Sequence, residues 1–319
     1  MKTFIALLIR EWREWRTVIL VTSILYVIGL IGYTVAIYKG SDALEDEDFR
    51  TEWFDDDWER AEDDEEWLSP KEWAAIGKAE GLFFGWTHML RVGISFIALS
   101  LLVLAFFYLV DAVFKERSDG TTFFYRSLPV TDLALLSSKL LVGTVGFLTL
   151  SFVMGVILVY YAQIITPAAF SDLLQASGLS TYQIASLDLL GDWSVFHILS
   201  LVWILPYATY FLLVSTVTRS RPLLVVIGIP LLLGILWRLL VGDNAFLREV
   251  TSNFNLLGDA IKQEWLGTDG PYAVAGESVE LFGSFSEYLI TVRSVISLLI
   301  SGIFFSLTFY AYRRNLPVS

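Results

Sequence analysis

The stretch Leu140–Ile165, LLVGTVGFLTLSFVMGVILVYYAQII, decides what kind of fold this chain adopts. It runs for 26 residues without a charged side chain, and a helix that crosses the hydrocarbon core of a bilayer needs about 20 apolar residues. Apolar and polar residues do not alternate along it, as they do in the strands of membrane β-barrels. We predict a transmembrane helix here, because a helix satisfies all its own backbone hydrogen bonds in lipid.

Similar apolar blocks recur along the chain and predict an all-α integral membrane protein with six spans. The predicted spans are residues 17–38, 91–113, 133–165, 193–218, 222–241 and 287–312. Only 18% of the 319 residues are charged and 55% are hydrophobic, whereas a soluble domain carries about 25% charged residues. The composition excludes a soluble enzyme.

The basic residues are unevenly distributed between the two sides of the predicted bundle. The side that holds both termini carries 12 of the 22 basic residues but only 6 of the 34 acidic residues. Loops rich in Lys and Arg stay in the cytoplasm. We therefore expect both termini, the connection 114–132, the turn 219–221 and the tail 313–319 to be cytoplasmic.

The first 16 residues form an amphipathic pattern. Phe4, Leu8, Trp12 and Trp15 share one stripe of a helix, and cationic residues lie elsewhere on its surface. This pattern is typical of a helix in the cytoplasmic membrane interface. The alternative is a helical extension of the first span.

Three outer loops follow from this topology, at residues 39–90, 166–192 and 242–286. The first is an acidic insertion with interleaved tryptophans, and its acidic part, 42–66, has three interpretations. It is a solvated helical cap on the membrane surface, an electrostatic collector for cationic substrates, or a site for divalent ions. The spacing of a calcium-binding loop is absent from it.

The chain lacks the residues of most catalytic centres. It has no cysteine and two histidines, so we expect no metal site. It also lacks a phosphate-binding loop and the motifs of zinc proteases and serine hydrolases. Its net charge of −12 argues against a nucleic-acid partner. We predict that the protein has no catalytic residues and no cofactor of its own.

Two polar side chains inside predicted spans are candidate functional residues, because ionisable groups in lipid are costly. His197 lies about one turn into the fourth span, where we favour a hydrogen-bonded structural role. Arg293 lies deeper, in the sixth span, and a paired or cavity-facing role is the functional alternative. Small residues also predict close helix contacts, at Gly29 and Gly32, Ser151 and Gly155, and Ser297 and Ser301.

The connection 114–132 contains three consecutive aromatic residues, Phe123 to Tyr125, flanked by charged residues and outside the membrane. An apolar patch of this kind is often a docking surface. The alternative is an interfacial loop that packs on its own helix bundle.

This connection resembles that of the ABC-2 type permeases, the membrane subunits of ATP-binding-cassette exporters. The family pattern is a glutamate, then Gly-Thr, then Leu-Pro-Val-Ser/Thr, and a lysine that opens the third span. The matching residues here are Glu116, Gly120, Thr121, Leu128, Pro129, Val130, Thr131 and Lys139. The six-span layout is similar to the same family, whereas the long acidic insertion departs from it.

The resemblance implies a type V exporter-like permease bundle in the cytoplasmic membrane of a bacterium or archaeon. Residues 115–130 would form a coupling helix on a separate ATPase subunit, present in two copies, which holds ATP and Mg. A second permease subunit would complete a homodimer. The residues implied in ATPase coupling are Glu116, Arg117, Asp119, Gly120, Thr121, Phe123, Phe124, Tyr125, Arg126, Leu128 and Pro129.

Under this interpretation the protein exports an amphipathic or hydrophobic substrate such as a peptide, a lipid or a drug-like molecule. Two alternatives from other classes stay open. One is a membrane-bound enzyme that acts on lipid or peptide. The other is a membrane scaffold or sensor whose acidic outer domain binds a partner.

Overall fold

The computed structural model describes residues 2–45, 90, 93–121, 130–169, 186–251 and 292–314. These residues are helical or in short turns, and no strand occurs among them. Within this part of the chain, six helices are long and apolar enough to cross a membrane. The predicted number of spans is confirmed, and the fold is that of an all-helical, multi-pass membrane protein.

The helices overlap the predicted spans. A short helix, α1, comes first, and the six apolar helices follow it. The bounds are α1 Lys2–Glu14, α2 Arg16–Glu45, α3 Gly93–Ser118, α4 Asp132–Ile165, α5 Ser186–Val217, α6 Pro222–Val241 and α7 Val292–Arg314.

Helix α1 has two apolar faces rather than one stripe. Leu7 and Glu11 face the helix bundle and are 6% and 1% exposed. A second ridge points away from the bundle and consists of Ile5, Ile9 and Trp12. The stripe expected from the sequence is therefore divided, because α1 contacts protein on one side and presents Trp12 on the other.

Helix α4 packs against α1, α2 and α5 and contains a π-helical turn, Val142–Gly146. Thr131 caps the start of the helix by accepting a hydrogen bond from the backbone N–H of Ala134. Gly143 lies against α3, and a Cβ atom there would stand 2.5 Å from the side chain of Leu109. Glycine therefore lets α3 and α4 approach closely beside the π-helical turn, a feature that is frequent at functional sites.

The two ends of the chain meet at one end of the bundle. Glu11 of α1 contacts Lys139 near the start of α4, and Arg313 near the end of α7 lies 3.8 Å from Asp132 of α4. Helix α7 packs along α5, and its Ser297 and Ser301 are buried. We call this end of the bundle the α1 end.

The other pairs of small residues behave differently from each other. Gly155 of α4 lies so close to Trp193 of α5 that a Cβ atom would overlap the indole ring. No atom lies within 4 Å of a Cβ atom built on Gly29 or Gly32 of α2. The close contact predicted for α2 is therefore absent within the described part of this single chain.

Candidate functional site

Five polar side chains form a cluster at the α1 end of the bundle. The carboxylates of Glu11 and Glu116 each contact the same two cations, Arg10 and Lys139. Lys139 Nζ lies 2.8 Å from Glu116 and 3.1 Å from Glu11, and Arg10 lies 2.8 Å from Glu116 and 2.6 Å from Glu11. The hydroxyl of Tyr108 donates to the second oxygen of Glu11 at 2.9 Å. We call these residues the charge cluster.

Three charged members of the charge cluster are buried, and the fourth, Arg10, is partly exposed, with 23% of its side chain accessible. Lys139 and Glu11 are each 1% exposed, and Glu116 is 6% exposed. Charges in such a place are tolerated only when partners compensate them. Two carboxylates alternate with two cations in this ring, so the buried charges compensate one another, and Arg10 also pairs with the exposed Glu14 at 3.3 Å.

The charge cluster joins three helices that are distant in sequence. Arg10 and Glu11 come from α1, Tyr108 and Glu116 from α3, and Lys139 from α4. The aromatic ring of Tyr108 is itself fixed by edge contacts with Trp15, at 5.1 Å between ring centroids. The cluster is therefore built from side chains on three helical segments, and Glu116 comes from the short segment Phe114–Ser118 at the end of α3.

A second set of hydrogen bonds ties the end of α3 to the end of α5. The backbone N–H groups of Val113 and Phe114 donate to Ser215 Oγ at 3.1 and 3.0 Å. Arg117 donates to the carbonyl of Ser215 at 2.9 Å and to the carbonyl of Thr218. The last carbonyls of a helix lack intrahelical partners and attract cations, so Arg117 completes the end of α5.

The structure describes only the first part of the expected coupling helix, residues 115–121, and the backbone is not continuously helical there. The last turn of α3 ends at Ser118, Asp119 and Gly120 form an exposed turn, and Thr121 is helical again. Gly120 has φ +69°, a left-handed conformation that glycine adopts without steric cost. Thr121 returns a hydrogen bond from its hydroxyl to the carbonyl of Glu116 at 3.2 Å.

The structure describes five of the expected coupling residues and leaves six outside the described part of the chain. Glu116 and Arg117 lie at the centre of the contacts, and Asp119, Gly120 and Thr121 lie at their edge. The rest fall outside the described residues, namely Phe123, Phe124, Tyr125, Arg126, Leu128 and Pro129.

The two intramembrane candidates have different outcomes. His197 is buried among aromatic rings, and its two ring nitrogens lie 2.8 Å from the carbonyl of Trp193 and 3.1 Å from Ser151 Oγ. These are the contacts of a hydrogen-bonded structural residue. The side chain of Arg293 lies outside the described residues. In the described part of the chain, no group of three or more His, Cys, Asp or Glu could hold a metal ion.

Sequence reasoning missed Arg10, Glu11 and Tyr108 as members of the site. In the sequence, Glu11 is one of the six acidic residues on the side expected to be cytoplasmic. Its position carried a signal, because a glutamate stands between Leu7, Leu8 and Trp15 on the apolar face of an amphipathic helix. A charge at such a position requires a buried partner.

The chain matches no protein-family model, no curated protein and no solved structure. The resemblance to ABC-2 permeases therefore depends on the motif in the connection and on the arrangement of helices.

Proposed function

We propose that this chain is the permease subunit of an ABC exporter of the ABC-2 type. It moves an amphipathic or hydrophobic substrate across the cytoplasmic membrane of a bacterium or archaeon. The energy comes from a separate ATPase subunit in two copies, which binds ATP and Mg, and a second copy of the permease completes the transport unit. The observation that carries the proposal is the set of contacts around Glu116 and Arg117.

These contacts give the end of α3, where the connection 114–132 begins, the links to other helices that such a subunit needs. A chain without a phosphate-binding loop must receive its driving force from a partner. Glu116 is bonded to α1 and α4 through the charge cluster, and its neighbour Arg117 is bonded to the end of α5. A displacement of this short segment would therefore act on α1, α4 and α5 at the same time.

The geometry also suits a two-state movement. Because the four charges compensate one another only when all are present, the cluster favours movement of α1, α3 and α4 as one body. ATP-driven closure of the ATPase pair would then shift a population between inward-open and outward-open bundles, by binding one state more tightly than the other.

The test of this function is co-purification of ATP hydrolysis. Full-length tagged protein is purified from its native membranes, and ATP hydrolysis is measured in the eluate. We expect activity with the unaltered chain and its loss when Phe123 and Phe124 are both replaced by Asp. The matched control replaces Phe282 and Phe285, in the predicted outer loop, by Asp and should retain the activity.

Two results would refute this function. One is an eluate of the unaltered chain without ATP hydrolysis, and the other is full hydrolysis with the Phe123→Asp, Phe124→Asp variant. Chemical turnover of lipid or peptide by the chain alone would instead support the membrane-bound enzyme.

A further inference from the structure

A groove of about 560 Å³ lies on the outside of the bundle, beside the charge cluster. Its walls are mainly apolar, and the aromatic residues Trp15, Phe107 and Phe114 line it together with four aliphatic residues, Val110, Pro222, Leu223 and Leu224. Two charged residues also line it. Asp111 comes from α3, and Arg221 comes from the turn that precedes α6.

The charges in the groove differ from those in the charge cluster. Among the described residues, neither the carboxylate of Asp111 nor the guanidinium of Arg221 forms an ion pair or side-chain hydrogen bond. Asp111 is half-buried in a helix that is long and apolar enough to cross a membrane. Asp111 lies near the end of this helix, and a charged side chain near the end of a membrane-spanning helix reaches the interface, where polar partners are available to it.

The level of the groove along the helices matches a membrane surface. Trp15 immediately precedes α2, and Arg221 immediately precedes α6. Tryptophan and arginine are enriched where helices leave the hydrocarbon core. Arg221 also has φ +51°, a left-handed conformation that is uncommon for a residue with a side chain. The turn thus holds this arginine in an unusual backbone conformation at the rim.

The chemistry of the groove defines its ligand. An arginine binds phosphate through paired charge-assisted hydrogen bonds, and a carboxylate accepts hydrogen bonds from a primary ammonium. Aromatic side chains accommodate the apolar part of the same molecule. A ligand that carries all three features is a zwitterionic phospholipid with a primary amine. A trimethylammonium group cannot donate hydrogen bonds to Asp111, so a choline headgroup fits less well.

We propose that this groove binds the headgroup of phosphatidylethanolamine, with Arg221 at the phosphate and Asp111 at the ammonium group. The site goes beyond the proposed transport function, because lipid occupancy does not need an ATPase. Trp15 is shared between the two sites, since its ring lines the groove and contacts Tyr108 of the charge cluster.

The experiment is native mass spectrometry of the full-length protein in detergent. Phosphatidylethanolamine, phosphatidylcholine and phosphatidylglycerol with identical acyl chains are added separately, and the bound fraction is measured. We expect the unaltered chain to retain phosphatidylethanolamine about tenfold better than the other two, the ratio that one charge-assisted hydrogen bond supplies.

The variants separate the two charges. In Asp111→Asn we expect retention of phosphatidylethanolamine to fall to that of phosphatidylcholine, with phosphatidylglycerol unchanged. Asp111→Glu keeps the carboxylate and should keep the preference. In Arg221→Gln we expect retention of all three lipids to fall. Arg238→Gln, at the opposite end of α6, is the matched control and should behave as the unaltered chain.

Equal retention of the three lipids by the unaltered chain would overturn the site. The proposal would also fail if Asp111→Asn and Arg221→Gln kept the original preference, or if Arg238→Gln lost it. Thermal unfolding of each variant shows that the comparison is made between folded proteins. Co-purification of ATP hydrolysis is measured in parallel, so that the lipid site and the transport function succeed or fail separately.

Discussion

Helix α4 carries two buried polar clusters that are built on different principles. The charge cluster includes Lys139, and about 18 Å further along the helix Ser151 belongs to a cluster around His197. In that aromatic cluster, the ring centroids of His197 and Trp193 are 4.0 Å apart. The imidazole is also hydrogen-bonded to the carbonyl of Trp193 and to the hydroxyl of Ser151. One cluster is held by full charges and the other by ring packing and neutral hydrogen bonds.

The comparison shows that the cost of a substitution depends on what it leaves behind in the buried cluster. In the aromatic cluster, loss of one group removes a hydrogen bond or a packing contact. In the charge cluster, loss of one group leaves another charge in an apolar interior. Changes in the two clusters, and in one exposed ion pair, test this contrast, and their expected effects run from large to small.

The largest effect is expected for Lys139→Met. This change removes one of the two cations that contact both Glu11 and Glu116 among the described residues, and we expect a loss of about 3–5 kcal/mol in the free energy of unfolding. Chemical or thermal unfolding of the purified protein in detergent measures it. The variant should also lose co-purified ATP hydrolysis.

A second variant tests the reason for that loss. Removal of the opposite charge as well, in Glu11→Gln with Lys139→Met, should restore part of the stability, because the excess carboxylate is gone. A double variant that is less stable than the sum of the two single variants predicts would show that the charges do not compensate one another.

A smaller effect is expected for Gly155→Ala in the aromatic cluster. The new Cβ atom would overlap the indole of Trp193, and we expect a loss of about 1–3 kcal/mol through overpacking. Gly29→Ala is the matched control, because open space surrounds that glycine in the chain. Equal unfolding midpoints for the two variants would contradict the close contact between α4 and α5.

The hydrogen bond from His197 to Ser151 is expected to contribute less. Ser151→Ala removes one side of a neutral hydrogen bond and should cost about 1 kcal/mol of stability. Once His197 is replaced by Phe, the further change at Ser151 should have almost no effect, because the partner is already absent. A double-mutant cycle on unfolding free energies measures this coupling, and strictly additive losses would speak against the bond.

The smallest effect is expected at the surface of the α1 end. Arg313 is 65% exposed and lies 3.8 Å from Asp132, and exposed pairs contribute about 0–1 kcal/mol. Arg313→Gln should therefore leave the unfolding midpoint nearly unchanged at physiological salt. A loss comparable to that of Lys139→Met would mean that exposure does not separate the two ion pairs.

The sequence predicts the six helices well and the clusters unevenly. Apolar length alone identifies a span, because lipid permits few other structures. A close helix contact at Gly155 could be predicted, because small residues allow helices to approach each other. The charge cluster could not be predicted, because Glu11 and Lys139 are 128 positions apart. The pattern of one helix does not show which face of a distant helix packs against it.

Individual residues show where the boundary lies. Lys139 and Glu116 were identified as motif residues, but nothing in the motif indicates that they contact each other at 2.8 Å. Gly120 was identified as a motif residue, but the motif does not indicate that its backbone is left-handed or that the helix is interrupted there. Tyr108 lies in an apolar run, and only the structure shows that its hydroxyl donates a hydrogen bond to Glu11.

The side of the membrane on which the end of α3 lies tests the account most directly. The chain has no cysteine, so Ser118→Cys introduces a single exposed thiol beside Glu116 and Arg117. A membrane-impermeant thiol reagent should leave this cysteine unlabelled in intact cells and label it after permeabilisation. A control cysteine at Ser41, in the predicted outer insertion, should be labelled in both. Labelling of Ser118→Cys from outside intact cells would contradict the account, because no cytoplasmic ATPase could then reach the segment.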